Sequence, residues 1–339
     1  MSNFTLPTFE PHLLLPGGHA QTLAGVYLPG HRHRYRAQRH LVTLADGDQL
    51  VLHDDRPATW QPYDRSALLM HGLAGCHDSG YMRRIAHKLS VRGVRAFRMD
   101  LRGCGAGLGL ARWPYHSGRS EDAAAALEAI ARYLPHSPTT LIGFSLGANI
   151  TLKLAGELAG QACGNLDSAV AVCPPVDLAA CSRQLSRARN RIYDRHFVSL
   201  LLRQIDAQRL AQPKAASVTW IRRPRSVWEF DDAYTAVVCG FGTADNYYRE
   251  ASSSQFLSGI RIPTLILASR DDPMIPSETL DAASLPPSVR LCLSDRGGHL
   301  GFIGRVGVDP DHRWMDWRVV EWVLSRNHEA PSSPLATLR

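Results

Sequence analysis

Short apolar runs alternate with longer segments of helical spacing along most of this chain. The short runs are bounded by polar or glycine residues and predict strands, whereas apolar residues recurring every three or four positions predict helices. The predicted strands are 41–44, 49–53, 66–70, 94–99, 140–144, 169–172, 264–268 and 289–293, and the predicted helices are 81–91, 121–133, 148–158 and 314–324. This alternation indicates an α/β fold, with a mostly parallel central sheet and helices on both faces.

One long segment interrupts the alternation. Residues 177–260 contain helical, arginine-rich stretches and lie between two predicted core strands. An insertion in that place commonly forms a helical cap over an active site. We therefore expect an irregular N-terminal arm over residues 1–36, an α/β domain over 37–326 that includes the cap, and a flexible tail over 327–339.

Composition and charge narrow the class of protein. The 339 residues are 45% hydrophobic and 20% charged, which is ordinary for a soluble globular protein. The net charge is +7, but the arginines are scattered and show neither zinc-finger spacing nor an RNA-binding motif, which argues against a nucleic-acid partner. A scattered excess more often gives solubility and mild attraction to anions, including acidic substrates and anionic lipid surfaces.

The cysteines and the absence of targeting signals indicate the cellular compartment in which the protein is expected. The seven cysteines are odd in number and form no C-x-x-C pair, which argues against a disulfide framework or a structural zinc site and favours a reducing compartment. The sequence shows no signal-peptide core and no uncharged apolar run near the ~20 residues of a membrane span. We expect a cytoplasmic protein and leave peripheral membrane contact open, while the oligomeric state stays unknown.

A candidate nucleophile lies between a predicted strand and a predicted helix. Gly143-Phe144-Ser145-Leu146-Gly147 matches the pattern G-x-S-x-G. The pattern alone is weak, but a nucleophile elbow requires this strand–turn–helix context, with small residues two positions before and after the serine. We expect Ser145 to be the nucleophile, against the alternative of a glycine-rich turn without chemistry.

A serine hydroxyl needs a base to remove its proton during attack, and the base needs an orienting acid. His299 follows the last predicted strand in a glycine-bearing loop, and its position singles it out among the histidines. The acid is expected after strand 264–268, where Asp271 and Asp272 compete. Asp272 is preferred because Pro276 follows it four residues later, and Asp271 then only shapes the turn. The order Ser145, Asp272, His299 is the order of the α/β-hydrolase fold.

Two backbone amides are the candidate donors for an oxyanion. Leu146 N–H directly follows the nucleophile, and Leu73 N–H lies in the turn His71-Gly72-Leu73-Ala74-Gly75 after strand 66–70. Preorganised N–H groups stabilise the negative charge that develops during attack on a carbonyl. Because the donors are backbone groups, their side chains matter little. Such a site needs no metal and no cofactor.

Other polar and aromatic residues have simpler explanations. Residues 115–117 (Tyr-His-Ser) are expected to brace the loop before the next helix rather than to touch substrate. The tryptophans within 314–322 follow helical spacing and indicate a core stripe. The aspartates within 46–48 and 54–55 fit no calcium-binding loop and indicate a hairpin surface.

The chain contains further motifs, two of which include Asp272 and His299. They are Gly18-His19-Ala20-Gln21-Thr22, Arg102-Gly103-Cys104-Gly105, Tyr115-His116-Ser117-Gly118 with Glu121-Asp122, Asn149, Phe230-Asp231-Asp232, Tyr247-Tyr248, Ala251-Ser252, Asp271-Asp272-Pro273 and Gly297-Gly298-His299. With these motifs the chain resembles the YheT-like hydrolases, also called the AB hydrolase 4 family, from about Gly18 to Trp322. Ala148 departs from the second glycine of many relatives, a change that should leave the elbow intact.

The resemblance implies esterase or lipase activity on carboxylic esters, including acylglycerols and phospholipids in animal relatives. The family's triad maps onto Ser145, Asp272 and His299. We therefore expect a serine hydrolase that cleaves carboxylic esters through an acyl-enzyme. Its expected substrates are small-molecule or lipid esters, either short- or medium-chain acyl esters or acylglycerol- and phospholipid-like lipids. Two alternatives stay open: an acyltransferase that passes the same acyl group to an alcohol, and a non-catalytic α/β-hydrolase scaffold. The substrate and its acyl-chain length are not encoded in any motif.

Overall fold

The computed structural model describes residues 6–28, 37–219 and 222–329. Eight strands form one sheet within this part of the chain. They are β1 (Gln38–Thr43), β2 (Gln49–Asp55), β3 (Ser66–Met70), β4 (Arg95–Asp100), β5 (Thr139–Phe144), β6 (Leu166–Val172), β7 (Thr264–Ser269) and β8 (Val289–Ser294). Each overlaps a predicted strand, because short buried runs of apolar residues are a strong strand signal.

The sheet is mostly parallel, as predicted. Its strand order is β1-β2-β4-β3-β5-β6-β7-β8. β2 is antiparallel to both β1 and β4, and all pairs from β4 to β8 are parallel. The β1–β2 hairpin turns at Gly47, whose φ of 86° suits glycine and explains the Asp-Gly signal in the sequence.

The helices cover the sheet and fill the insertion between β6 and β7. Before the insertion lie α1 (Gly18–Tyr27), α2 (Gly80–Ser90), α3 (Ser120–Tyr133) and α4 (Leu146–Leu158). The insertion contains α5 (Leu178–Leu185), α6 (Arg191–Ala211), α7 (Val227–Phe230), a π-helical turn (Asp231–Thr235), α8 (Ala236–Val238) and α9 (Ala244–Ala251). After it come α10 (Glu278–Asp281) and α11 (Trp314–Ser325). In the described residues, no helix is both long enough and apolar enough to cross a membrane.

Two apolar layers, one on each face of the sheet, form the core. Along β3, Leu69 packs in a cluster with residues of α2 and α11, whereas Leu68 packs with residues of α3 and α4. This follows from the alternation of side chains along a strand. Trp314, Trp317 and Trp322 are buried, so the stripe belongs to the core as predicted. The fold therefore presents the carboxyl ends of its parallel strands at one edge.

Two expectations differ from the structure. Residues 18–27 of the N-terminal arm form α1 instead of an irregular segment; its signals are weak because Gly17 supplies no side-chain cap. The aspartates of the β1–β2 hairpin are not a simple surface, since Asp48, Asp54 and Asp55 are buried in ion pairs with arginines. Residues 1–5 and 29–36 of the arm and 330–339 of the predicted tail lie outside the described residues.

Candidate active site

The predicted site residues follow strands that end at the same edge of the sheet. Ser145 directly follows β5, Asp272 lies in the loop after β7, and His299 lies in the loop after β8. The loop that carries Leu73 follows β3. Open parallel sheets bind ligands beyond these carboxyl ends, so the topology itself brings the distant segments together.

Ser145 occupies a strained turn between β5 and α4. Its φ is 51° and its ψ is −118°, a conformation that residues with side chains rarely adopt. Its backbone N donates a 2.8 Å hydrogen bond to Val172 O, which fixes the turn against β6. A Cβ atom on Gly143 would lie 2.2 Å from the carbonyl oxygen of Gly147, so this tight turn excludes a larger residue there.

Positive-φ backbone is concentrated around this serine. Ala74 in the loop after β3, Cys173 after β6 and Leu300 beside His299 have φ values of 55°, 49° and 57°. Such conformations persist only where the surrounding structure enforces them, and they cluster at functional sites.

His299 joins Ser145 to Asp272. Its Nε2 lies 2.9 Å from Ser145 Oγ, and its Nδ1 lies 2.8 Å from Asp272 Oδ2. A carboxylate only accepts hydrogen bonds, so Nδ1 carries the proton and Nε2 accepts from the serine hydroxyl. Asp272 Oδ1 accepts from the backbone N atoms of Met274 and Ile275 at 2.8 and 3.0 Å, which orients the carboxylate. The three side chains thus lie as a nucleophile, a base and an orienting acid would.

Asp271 has a different set of contacts. Its Oδ1 accepts a 2.9 Å hydrogen bond from Gly298 N, and its Oδ2 has no hydrogen-bond partner among the described residues. The backbone N of His299 donates instead to Thr22 Oγ1 of α1 at 2.9 Å. The loop before His299 is therefore held from two sides, by Asp271 and by Thr22. Sequence reasoning gave α1 no such role.

Leu73 and Leu146 both line the cavity that contains Ser145. Leu146 is the first residue of α4, where backbone N–H groups have no partner within the helix. Within the described residues, neither Leu73 N nor Leu146 N donates to another group of the protein. Both amides are therefore available to an oxygen that bears negative charge.

The amides on either side of Leu73 are held by tyrosine hydroxyls. Gly72 N donates to Tyr81 Oη at 2.9 Å, and Ala74 N donates to Tyr115 Oη at 2.9 Å. Tyr115 was expected to brace the loop before the next helix, α3, whereas its hydroxyl contacts the loop after β3. Tyr81 was not predicted to contribute to the site. Its spacing within α2 is that of an apolar helix residue and does not indicate that its hydroxyl contacts the loop after β3.

His71 is a structural histidine of the same loop. Its Nε2 accepts from Leu101 N at 3.2 Å, so its Nδ1 carries the proton and donates to Gly72 O at 2.7 Å. Burial lowers the pKa of His71, which keeps the ring neutral. Both ring nitrogens are thus used to fix the turn beside Leu73.

Comparison with known proteins places the chain in a family. Residues 68–306 match the family described as the alpha/beta hydrolase fold. The YheT protein of Escherichia coli (strain K12) is 34% identical over 291 residues, which cover 84% of this chain and 84% of that protein. The chain belongs to the α/β-hydrolase family, in its YheT-like branch. The resemblance expected from the motifs is confirmed.

More distant relatives of this hydrolase have lipase names. The human phospholipase ABHD3 is 26% identical over 304 residues, covering 87% of this chain and 74% of the relative. The monoacylglycerol lipase of Saccharomyces cerevisiae is 26% identical over 244 residues, covering 69% of this chain and 54% of the relative. The hydrolase is accordingly an enzyme of the esterase and lipase type.

A solved structure shows the same fold. The Pyrococcus furiosus esterase Pf2001 superposes with a TM-score of 0.55 at 16% sequence identity, over 95% of this chain and 99% of that chain. At this identity the likeness concerns the fold alone.

A large apolar cavity of this hydrolase opens onto Ser145 and His299. Its empty space is about 1180 Å³, including the part open to solvent. The loops of the sheet supply Leu73 and Met274 to its wall, and the insertion supplies Phe197, Leu201 and Phe230. Residues of the segment expected to act as a cap thus line the same cavity as Ser145 and His299. Ligand pockets of this kind are mostly apolar, with a few polar groups that fix orientation.

Asp231 is a buried carboxyl on the wall of this cavity. It begins the π-helical turn, and its two oxygens accept from Thr235 Oγ1 at 2.7 Å and Tyr248 Oη at 2.8 Å. No ion pair among the described residues includes Asp231. Burial raises the pKa of Asp231 to about 7, although both hydrogen bonds oppose the shift. The sequence showed this residue only as part of a family motif.

Two groups of side chains in the described chain offer metal-ligand atoms close together. One consists of Asp272 and His299 with the thiol of Cys173, whose pKa is raised well above its usual value by burial. In the other, His53 Nε2 and His77 Nδ1 lie 2.9 and 2.8 Å from the same oxygen of Asp100. Those are hydrogen-bond distances, and the two imidazole rings stack 3.5 Å apart. The members of this second group are therefore hydrogen-bonded to one another. In the first group, His299 and Asp272 are hydrogen-bonded, and Cys173 Sγ lies 4.0 Å from Gly298 O.

Proposed function

We propose that this hydrolase cleaves carboxylic esters through an acyl-enzyme on Ser145. The observation that carries the proposal is the unbroken contact from Ser145 Oγ through His299 to Asp272 at the floor of an apolar cavity. A neutral imidazole at hydrogen-bond distance from a serine hydroxyl is placed to act as a general base.

The reaction follows from the positions of these groups. His299 Nε2 takes the proton as Ser145 Oγ attacks the ester carbonyl carbon, and Asp272 stabilises the imidazolium that forms. Leu73 N and Leu146 N donate to the carbonyl oxygen as it becomes negative. His299 then gives its proton to the alcohol oxygen, so that the alcohol leaves and the acyl group remains on Ser145. Water attacks next with the same base, and the acid is released.

The cavity favours esters with a substantial apolar part. Its lining by leucine, phenylalanine and methionine side chains would bury an acyl chain with a gain of roughly 0.8 kcal/mol for each methylene. The phospholipase and monoacylglycerol lipase names of two relatives agree with lipid-like esters. We therefore assign medium to long acyl esters as the substrate class.

The test is a series of p-nitrophenyl esters from acetate to palmitate, with the wild type and Ser145→Ala. The proposal predicts turnover by the wild type that rises with chain length to an optimum, and loss of roughly a thousandfold or more in Ser145→Ala. A fluorophosphonate probe should label the wild type and leave Ser145→Ala unlabelled. An inactive, unlabelled wild type would support the scaffold alternative and reject the proposal.

Acyl transfer to an alcohol is the second candidate. It is favoured by one relative, the yeast medium-chain fatty acid ethyl ester synthase/esterase 2, which is 26% identical over 280 residues. The same acyl-enzyme serves both reactions, and they differ only in whether water or alcohol attacks it. Adding ethanol to the assay and measuring ethyl ester against free acid separates the two.

A further inference from the structure

Helix α1 presents its larger apolar residues to solvent. Its buried residues are Gly18, Gln21, Thr22 and Ala24. Its exposed side includes Leu23, Val26 and Tyr27, and the last two are 71% and 74% exposed. The spacing of these three residues places them on one face. A helix that packs only against its own domain turns its large apolar residues inward, so the outer face of α1 has the character of a contact surface.

Two segments that contact α1 also carry exposed apolar residues. Leu13 and Leu14 are exposed in the turn before α1, and the Gln21 side chain ties that turn to the helix by a 2.7 Å hydrogen bond to Leu15 O. At the first turn of α6, Ile192 is 74% exposed. Its neighbour Tyr193 stacks on His19 of α1, with ring centroids 5.6 Å apart. We call Leu13, Leu14, Leu23, Val26, Tyr27 and Ile192 the α1 surface.

The segment that contacts α1 through Tyr193 carries exposed positive charge. The only acidic residue between positions 178 and 205 is Asp194, which is buried. The same stretch carries exposed arginines that belong to no ion pair within the described part of the chain: Arg183, Arg187, Arg189, Arg191 and Arg195.

We infer that the α1 surface is a docking site for the anionic headgroup layer of a lipid bilayer. Interfacial binding combines buried apolar side chains with electrostatic attraction of basic residues to anionic lipids. A second copy of the chain fits less well, because a two-fold interface would bring the same unpaired arginines together. A free soluble anion would use the arginines and leave the apolar residues without a partner.

Docking there would place the catalytic loop at the lipid surface. The inner side of α1 holds His299 through Thr22 Oγ1, while its outer side carries Val26 and Tyr27. This part of the inference rests on the proposed function. It identifies the source of the substrate, which is an ester held in a lipid layer.

The test is flotation of the whole chain with vesicles of phosphatidylcholine, with and without phosphatidylglycerol. The wild type should bind the anionic vesicles and not the neutral ones, and high salt should weaken binding. Val26→Asp with Tyr27→Asp, and separately Arg191→Glu with Arg195→Glu, should each lower binding roughly tenfold or more. Both variants should hydrolyse a dissolved short-chain p-nitrophenyl ester within about twofold of the wild type.

Matched variants act as controls elsewhere on the molecule. Val91→Asp changes an exposed valine that follows α2, at the edge of the sheet opposite the candidate active site. Arg39→Glu with Arg132→Glu reverses two exposed charges, one near the start of β1 and one near the end of α3. These variants should bind anionic vesicles nearly as well as the wild type.

Three outcomes would overturn the inference. They are a wild type that ignores anionic vesicles at low salt, equal losses in the control variants, and a dimer in solution that Val26→Asp with Tyr27→Asp dissociates. Vesicle binding without any ester hydrolysis would instead reject the proposed function and leave the docking site standing, because Ser145→Ala should bind vesicles as the wild type does.

Discussion

Thr22 and His299 are 277 positions apart in the chain, yet the backbone N of His299 donates to Thr22 Oγ1 at 2.9 Å. The same hydroxyl donates to Gly18 O at 2.7 Å, so its orientation is fixed within α1. A Cβ atom on Gly298 would lie 2.2 Å from Gly18 O, which shows how closely helix and loop approach. The N-terminal segment is therefore part of the candidate active site.

Replacing Thr22 tests this dependence. Thr22→Val keeps the shape but leaves His299 N without an acceptor, so kcat should fall by roughly tenfold with little change in KM. Thr22→Ser restores the hydroxyl and should recover most of the activity. A purely structural role would lower the melting temperature of Thr22→Val while kcat per folded molecule stayed unchanged.

The neighbouring aspartates should differ sharply in their effect on turnover. Asp272→Asn removes the charge that holds the His299 tautomer, and kcat should drop by roughly 10³–10⁴-fold. Asp271→Asn retains an oxygen that can accept from Gly298 N, so its kcat should stay within about tenfold of the wild type. Steady-state kinetics on one ester compares them, and equal losses would contradict the assignment of the acid.

Tyr81→Phe probes the loop that carries Leu73. The change removes the acceptor of Gly72 N, so Leu73 N should be less well fixed and kcat should fall by several-fold to roughly tenfold at constant KM. Tyr63→Phe, at a residue 74% exposed, is the matched control. Unaltered kcat in Tyr81→Phe would show that the hydroxyl is dispensable for the oxyanion site.

Asp231 should make stability depend on pH. Burial raises its pKa from 3.8 to about 7, so between these values the folded chain keeps a proton that the unfolded chain has lost. The contribution of this group to the free energy of unfolding is therefore fully present below the lower pKa. It decreases as pH rises, by at most about 1.4 kcal/mol for each pH unit.

Urea unfolding at several pH values measures this slope. The side chain at position 231 cannot ionise in Asp231→Asn. The free energy of unfolding of this variant should therefore increase relative to that of the wild type as pH rises from about 4 to about 7. Asp232→Asn, at the next residue, keeps its oxygen for Ala244 N and should follow the wild type. Parallel pH curves for the wild type and Asp231→Asn would mean that Asp231 is ionised throughout this range.

The sequence predicted the sheet well because its strands are short buried runs with clear boundaries. Residues 66–70 form β3 as expected, and the strand–turn–helix pattern at Ser145 is what the structure contains. The G-x-S-x-G motif, the spacing of Pro276 from Asp272 and the order along the chain selected Ser145, Asp272 and His299, which the fold brings within hydrogen-bond distance. Their catalytic roles await the kinetic tests above.

Other parts of the site depend on contacts that no local pattern shows. The exposed apolar face and the glycines of α1 gave no helix signal, so the contact of Thr22 with His299 was not expected. Tyr81 has the spacing of an ordinary core residue. The hairpin aspartates were placed on the surface because their partners, such as Arg102 for Asp48, come from a distant segment.

Positive φ at Ala74 has a consequence for how this enzyme can change. Such a residue costs roughly 1–3 kcal/mol, and glycine would relieve that cost with the loss of only a methyl group. Cys173 and Leu300 share the conformation, but their side chains pack in the core, so glycine there would lose more packing than it relieves strain. A library selected only for heat resistance would therefore enrich glycine at position 74 and not at the other two. The exchange would free the backbone beside Leu73, so the selected proteins would survive hotter conditions while turning over more slowly.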